Sequence, residues 1–151
     1  MDKFDCYCKI DDKTFRYRAS GIIIENGCVL LARNNRLPYL YSVGGGVHID
    51  ETAEEAAIRE VYEETGVHYE IDRLAYISER FHKNEHRLSF YFLMKQRGTQ
   101  ALNVSNEAEQ MVWVPLSELN KYELSPAWYK TELLNISANV VYIRGSQGKT
   151  P

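Results

Sequence analysis

The stretch Gly45–Val67, GGVHIDETAEEAAIREVYEETGV, carries the local signals that decide the fold of this 151-residue chain. Thr52, with Glu55 three residues later, has the form of a capping box, in which each side chain accepts a hydrogen bond from the other residue's backbone N–H. Gly66 fits the left-handed position at which many helices end. The stretch therefore predicts a helix of about 13 residues that starts after Thr52 and stops before Gly66.

Acidic residues dominate this predicted helix. Residues 50–64 contain seven acidic side chains and one arginine, a net charge of −6. Glu60, Glu63 and Glu64 have the i, i+3, i+4 spacing that places them on one face, where like charges repel. Carboxylate oxygens without histidine or cysteine suit hard cations such as Mg²⁺ or Mn²⁺. We therefore predict that these three glutamates bind a divalent metal ion.

Two neighbouring features fit the same chemistry. Arg59, the only base in the segment, can orient Glu60 or Glu63 through a bidentate hydrogen bond, or it can form an ordinary i, i+4 ion pair. The triplet Gly44–Gly45–Gly46 leads toward the helix and allows the backbone to approach a phosphate closely. Together these features predict metal-assisted hydrolysis or phosphoryl-type transfer on a pyrophosphate.

Composition narrows the class of protein. The length predicts a single domain, and a net charge of −3 provides no bulk basic field for nucleic acid. No apolar run reaches the 18 residues or so of a membrane span, and the first ten residues lack a signal peptide's apolar region. Three cysteines, an odd number, suggest a reduced protein, so the cytoplasm is the expected location. The four scattered histidines indicate no nucleophilic triad.

Hydrophobic patterning predicts an α/β (α+β) domain over residues 1–144, followed by a disordered tail over residues 145–151. Asn26–Gly27 predicts a type I′ hairpin turn. Ser125 as N-cap, with proline next, predicts a second helix over Ala127–Asn135. The predicted strands are Asp5–Ile10, Phe15–Glu25, Cys28–Arg33, Leu74–Phe81, Arg87–Lys95, Met111–Val114 and Asn139–Arg144.

The segment resembles the box of the Nudix hydrolase family, G-x5-E-x7-R-E-U-x-E-E-x-G-U, where U is aliphatic. All nine defined positions match at the correct spacing: Gly45, Glu51, Arg59, Glu60, Val61, Glu63, Glu64, Gly66 and Val67. One departure is Val43, where many members have proline before the glycines. The resemblance implies an α/β/α sandwich with a central mixed β-sheet. It also implies Mg²⁺- or Mn²⁺-dependent hydrolysis of a nucleoside diphosphate linked to another group.

The resemblance also implies roles for individual residues. Glu60, Glu63 and Glu64 correspond to metal ligands, and Glu60 or Glu64 is the candidate for activating the attacking water. Arg59 would orient these glutamates, Glu51 would support them, and the Gly45 carbonyl would add a ligand. Members often supply a further acidic ligand before the late strand; of the two candidates here, Glu107 is preferred to Glu109.

The sequence indicates the substrate-binding residues less directly than the metal ligands. Arg33 resembles a position that often contacts the diphosphate, and Gly44, Gly45 and Gly46 would approach its oxygens. Tyr41 and Phe81 are candidates for a base or sugar ring, with Tyr39 and Phe90 as further aromatics. Residues typical of an ADP-ribose or dinucleoside polyphosphate substrate are absent after the box, which favours a nucleoside triphosphate or nucleotide sugar.

The expected partner is this small molecule, without a membrane and with nucleic acid disfavoured. A homodimer is kept open as the commonest soluble oligomer. The alternative function is a module that senses a nucleotide without hydrolysing it. Because such modules usually lose box carboxylates and this chain retains them all, hydrolysis is preferred.

Overall fold

The computed structural model describes residues 2–96, 98 and 109–145 of the chain. Strands make up most of this part, with one long helix, one short helix and one 3₁₀ helix, Leu116–Lys121. The helices are α1 (Ala53–Thr65) and α2 (Tyr129–Glu132). The strands are β1 (Tyr7–Ile10), β2 (Lys13–Glu25), β3 (Cys28–Asn34), β4 (Leu40–Tyr41), β5 (Val43–Gly46), β6 (Tyr69–His82), β7 (Glu85–Gln96), β8 (Glu109–Pro115), β9 (Leu124–Ser125) and β10 (Val141–Gly145).

A mixed β-sheet forms the centre of the described domain. Along its main path the strand order is β10-β6-β7-β2-β3-β4-β9, while β1 and β5 pair with β2 and β8 pairs with β3. The β2–β7, β6–β10 and β4–β9 pairs are parallel, whereas the hairpin pairs such as β6–β7 are antiparallel. The predicted mixed sheet is therefore confirmed.

Strand β2 organises this sheet. One of its edges pairs with β7 from Thr14 to Ile23. The other edge pairs in succession with β1, with β5 at Arg18–Gly21, and with β3 at Ile24–Glu25. The glycine strand β5 and the hairpin arm β3 therefore follow one another along a single edge of β2.

Two local predictions are confirmed. Asn26 and Gly27 have φ angles of 52° and 74°, the positive values that a type I′ turn requires. Helix α1 spans 13 residues, and both hydrogen bonds of the capping box between Thr52 and Glu55 are present. Gly66 ends the helix in the left-handed region with φ 72°.

The sheet buries a hydrophobic cluster on each face because alternate residues of a strand project to opposite sides. Ala19 and Ile23 of β2 pack in the cluster that includes Ala57 and Val61 of α1. Ile22 packs in the other cluster, with Tyr129 of α2 and residues of the 3₁₀ helix and β8. Helical segments thus lie on both sides of the sheet, as expected for the sandwich.

The predicted second helix is wrong over most of its length. Ser125 does not cap a helix; it pairs in β9 with Tyr41, and its carbonyl accepts a hydrogen bond from Ser42 N at 3.0 Å. The chain is thus extended at Ser125, and α2 begins only at Tyr129. Long-range pairing outweighs the local Ser-Pro signal.

The other predicted elements differ from the observed ones mainly in the residues at which they begin and end. The three glycines, which are not assigned to a predicted strand, lie in β5, whose four residues are buried. Gly145, assigned to the tail, belongs to β10, and residues 146–151 lie outside the described part. The helices described between residues 2 and 145 include none long and apolar enough to span a membrane.

Candidate active site

Helix α1 carries the acidic cluster against the glycine strand. Gly45 pairs with Ala19 in the sheet, so its backbone position is held on one side by β2. On the other side, a Cβ added to Gly45 would lie 2.3–2.5 Å from the carboxylate atoms of Glu60. The immediate neighbour of the Gly45 backbone is therefore Glu60, and the approach of the glycine triplet to a phosphate stays a prediction.

Arg59 makes its bidentate hydrogen bond with Glu51, a pairing that the sequence did not indicate. Its Nε and Nη2 atoms donate to the two Glu51 oxygens at 2.7 and 2.9 Å. Nη1 donates to Glu60 Oε1 at 2.9 Å, and Nη2 also donates to the Gly46 carbonyl at 2.9 Å. Glu63 is the weakest partner, at 3.4 Å from Nη1. Arg59 thus joins the helix, β5 and the loop between them.

Glu51 supports this arrangement from the loop before α1. Its Oε1 also accepts a hydrogen bond from the His48 backbone N–H at 2.9 Å. The hydrogen bonds from Arg59 lower the pKa of Glu51 and raise that of Arg59, so the pair stays ionised. The eight-residue spacing from Glu51 to Arg59 offers no standard helical pairing, which explains why only the family resemblance indicated a role for Glu51.

Glu64 is the most perturbed carboxyl group in the site. Its Oε2 atom is buried and has no hydrogen-bond partner among the described residues. Burial, followed by the nearby charges of Glu109 and Glu60, raises its pKa to about 9. Burial also raises the pKa of Glu60, against the opposing effect of Arg59. The positive charge near Glu60 and Glu64 is therefore too small to neutralise both of these crowded carboxyl groups.

Glu109, at the start of β8, completes the cluster. Its carboxylate lies within hydrogen-bonding reach of Glu64, and its Oε2 accepts a 2.8 Å hydrogen bond from the Tyr41 hydroxyl. Burial and the bond to Glu109 raise the pKa of Tyr41, so the hydroxyl remains a donor. Glu107, the preferred late ligand, lies outside the described residues.

The sequence profile of the NUDIX domain family matches residues 15–133, which contain every element of this site from β2 to α2. The chain belongs to the Nudix hydrolase family. Membership implies hydrolysis of a pyrophosphate bond, and Nudix hydrolases generally use a divalent metal ion such as Mg²⁺ or Mn²⁺.

Curated relatives of this Nudix domain include two diphosphoinositol polyphosphate phosphohydrolases. The human enzyme NUDT4B is 42% identical over 87 residues, which cover 55% of this chain and 48% of that protein. The mouse enzyme 3-alpha is 39% identical over 87 residues, covering 55% of this chain and 53% of its own length. The chain thus matches only about half the length of these relatives.

Solved structures share the Nudix fold. The MutT NUDIX hydrolase from Burkholderia pseudomallei superposes with a TM-score of 0.68 at 22% identity, covering 80% of this chain and 98% of that one. A MutT protein from Methanosarcina mazei gives a TM-score of 0.66 at 22% identity, covering 80% and 91%. At these identities the likeness shows the fold alone.

The donor set of the Nudix box fits a hard divalent cation. Glu60 and Glu64 supply buried carboxylate oxygens, one of them without a hydrogen-bond partner in the described part of the chain. Glu63 is more exposed, with 55% of its side-chain surface accessible, and lies on the same helix face. Oxygen-only donors, with surplus negative charge and an open coordination position, are what Mg²⁺ and Mn²⁺ require.

The structure brings some of the predicted substrate residues to this site. Tyr41 reaches it through Glu109. Arg33 is not brought there in the same way: it lies on β3 in register with Gln110, to which its side chain donates a hydrogen bond, and therefore projects to the face opposite to Glu109. Gly44 and Gly46 flank Gly45 in β5.

Phe81 lies elsewhere. It projects from the face of β6 opposite to Arg80 and stacks against His86 at 4.4 Å between ring centroids. It lines a separate cavity of about 510 Å³ with Phe15 and Cys8. The structure therefore does not join Phe81 to the carboxylate cluster.

Arg18 is a residue of this region that the sequence reasoning missed. It pairs with Gly46 across β2 and β5, and its charge acts on Glu60 and Glu64. The alternation of arginines in Arg16-Tyr17-Arg18 is the one signal in the sequence that could have drawn attention to it. Arg18 becomes a neighbour of the Nudix box through strand pairing, which the sequence does not reveal.

Proposed function

We propose that this chain hydrolyses a pyrophosphate bond in a nucleoside diphosphate-linked substrate, with Mg²⁺ or Mn²⁺ held by Glu60, Glu63 and Glu64. The observation that carries the proposal is the buried Glu64 carboxyl group, which has one oxygen without a partner among the described residues and lies beside Glu60 and Glu109. Such crowding costs stability unless a cation or a proton compensates it.

The contacts of each residue support a different role in the proposed reaction. When bound, the metal would neutralise phosphate charge and lower the pKa of a coordinated water. Glu60 or Glu64 would accept the proton of the water that attacks phosphorus. Arg59 and Glu51 would hold Glu60 in position through their bidentate pair, and the Gly45 carbonyl would be a further ligand of the metal.

Tyr41 of β4 and Glu109 of β8 would contribute to the site from outside the Nudix box. The Tyr41 hydroxyl orients one Glu109 oxygen at 2.8 Å, leaving the other free to turn toward Glu64 or a cation. Arg33 and the glycine strand would contact the diphosphate, and we keep Glu107 as a further ligand candidate. We propose the cytoplasm as the location of the protein and the small-molecule substrate as its partner. A homodimer is a further proposal.

The substrate is proposed at the level of its chemistry. Sequence features after the box favour a nucleoside triphosphate or a nucleotide sugar. Two curated relatives are named as diphosphoinositol polyphosphate phosphohydrolases, so diphosphoinositol polyphosphates belong among the compounds to be tested.

The test is a substrate panel with purified, metal-replete protein. Deoxynucleoside triphosphates, nucleotide sugars, dinucleoside polyphosphates and diphosphoinositol polyphosphates are incubated with Mg²⁺, and the products are separated by anion-exchange chromatography. We expect turnover of at least one class, and we expect Glu64→Gln to reduce kcat by about 1,000-fold or more while the helix stays folded by circular dichroism. Tight nucleotide binding without any product would instead support the nucleotide-sensing module.

A further inference from the structure

A row of arginines crosses the central sheet on the face opposite to helix α1. In register, Arg16 of β2 pairs with Arg87 of β7, and Arg87 pairs with Arg80 of β6. Residues paired across neighbouring strands project to the same side of a sheet, as do alternate residues of one strand. Arg18, two residues after Arg16, therefore joins the same face. We call these four residues, Arg16, Arg18, Arg80 and Arg87, the arginine face.

Few negative charges balance the arginine face. In the part of the chain that the structure describes, one carboxylate forms ion pairs with it: Glu85, which lies 3.6 Å from Arg16 Nη1 and 2.6 Å from Arg87 Nη2. The next carboxylate along this edge, that of Asp5 over Gly46, lies 3.6 Å from His48 Nε2. Among residues 2–96, 98 and 109–145, these four arginines thus share one directly paired carboxylate.

This crowding carries an electrostatic cost. Burial, with the repulsion of Arg18, Arg16 and Arg80, lowers the pKa of Arg87 to about 10. Burial and the charge of Arg16 also lower the pKa of Arg18. Arginines this close, with unequal numbers of acids, destabilise a folded chain unless an anion from outside joins them.

Two polar atoms on this face have no partner. The Nε atom of Arg80 and the Nδ1 atom of His82 are buried and make no hydrogen bond with any described residue. His82 follows Arg80 by two positions on β6, so both side chains lie on the same face. A guanidinium presents its N–H groups in a fixed fork that matches a phosphate. The unpaired Nε–H donor of Arg80 therefore points to a phosphate-bearing ligand, toward which His82 Nδ1 would also donate in the tautomer that carries its proton there.

Arg18 connects the arginine face to the active site across the glycine strand β5, because it is in register with Gly46, whose carbonyl accepts a hydrogen bond from Arg59. The Arg18 charge acts on Glu60 and Glu64, while Arg16 lies two residues away along the same strand. Neighbouring strands are about 4.8 Å apart and alternate residues about 7 Å apart, so the four guanidinium groups cover an area large enough for several phosphates of one small molecule.

We propose that the arginine face binds phosphate groups that the substrate carries beyond its scissile pyrophosphate. The substrate class is then a small molecule with several clustered phosphates, rather than a nucleotide linked to a neutral sugar. This inference rests on the proposed function, because it assigns the part of the substrate that lies beside the metal site.

The first experiment measures binding without hydrolysis. Isothermal titration calorimetry is performed in EDTA with inorganic tripolyphosphate and, separately, with inositol hexakisphosphate as the probe. We expect Arg80→Gln and Arg87→Gln each to weaken binding about tenfold, the loss of one charge-assisted hydrogen-bonded contact. Arg144→Gln is the matched control: Arg144 lies in the neighbouring strand β10 in register with Glu79, on the opposite face, and should change binding less than about twofold.

The outcomes separate the two proposals. Equal affinity of the wild type, Arg80→Gln, Arg87→Gln and Arg144→Gln for both probes would overturn the arginine-face proposal, even if the substrate panel shows hydrolysis. Arginine-dependent binding supports it, even if no compound of the panel is hydrolysed and the proposed function fails. Circular dichroism checks each variant; if Arg87→Gln does not fold, Arg80→Gln and Arg16→Gln decide the result.

A kinetic comparison links the face to turnover. In an active preparation, Arg80→Gln should lower kcat/KM about tenfold for the substrate of the panel with the most phosphates. For a nucleotide linked to a neutral sugar the same variant should change kcat/KM less than about twofold. An equal loss for both substrates would contradict the assignment of the face to the further phosphates.

Discussion

The Glu60 carboxylate packs directly against the backbone of Gly45: a Cβ at Gly45 would overlap this carboxyl group, so a side chain fits there only if Glu60 moves. The contact joins a strand that β2 holds in place to a helix residue that Arg59 orients. Gly45, the first glycine of the Nudix box, therefore leaves the space that the Glu60 carboxylate occupies.

Gly45→Ala should consequently damage the site more than the fold. We expect Glu60 to move, with a fall in kcat of about 100-fold and a loss of stability of about 1–3 kcal/mol. Gly27→Ala is the control, because Gly27 has φ 74° and no atom within 4 Å of an added Cβ. It should lower stability through backbone strain while kcat stays unchanged. Full activity of Gly45→Ala would show that the Glu60 position does not matter.

The bidentate pair of Arg59 and Glu51 gives a second expectation. Arg59→Lys keeps a positive charge but cannot make two parallel hydrogen bonds to Glu51, so we expect kcat to fall about tenfold or more with little change in KM. Glu51→Gln should have a similar effect, and the double variant should be no worse than either single one, as for residues that act as a unit. Glu54→Gln, an exposed change in the first turn of α1, serves as the control. Simple additivity would indicate that the two residues act separately.

Glu64 should make the stability of the metal-free protein depend on pH. Its pKa is about 9 in the folded protein, against 4.5 for an ordinary glutamate, so the folded chain retains a proton that the unfolded chain has already lost. The contribution of this carboxyl group to stability is therefore complete below about pH 4.5 and is lost as pH rises toward about 9.

Urea unfolding in EDTA tests this expectation between about pH 5 and about pH 9. The free energy of unfolding of the wild type should decrease over this range more steeply than that of Glu64→Gln, which cannot ionise. Added Mg²⁺ should remove much of the decrease, since a cation replaces the proton. Identical slopes for the two proteins would contradict the perturbed ionisation of Glu64.

The late metal ligand can be identified by two single substitutions. Glu109 reaches Glu64 and accepts the Tyr41 hydrogen bond, so Glu109→Gln should weaken Mg²⁺ binding about tenfold or more. Tyr41→Phe should weaken it by a smaller factor, because one hydrogen bond to a ligand contributes about 0.5–1.5 kcal/mol. Tyr39→Phe, a neighbour in ring contact with Tyr41, is the control. A larger effect of Glu107→Gln than of Glu109→Gln would return the assignment to Glu107.

Local signals predicted the elements whose stability is largely local. The capping box and Gly66 set both ends of α1, and Asn26–Gly27 set the first hairpin, because these residues act on backbone groups within a few positions. The same limits explain the error at Ser125, where pairing with a strand distant in sequence outweighs a capping signal.

What the sequence by itself determined was the acidic helix and the family of the domain, while metal binding by the helix stays a prediction. Tertiary structure alone decided that Arg59 pairs with Glu51, that Glu109 meets Glu64 and that arginines from three strands share one face. The physical reason is the range of the interactions. Helix capping and turns act over a few residues, whereas sheet register joins residues far apart in the chain and sets which charges become neighbours.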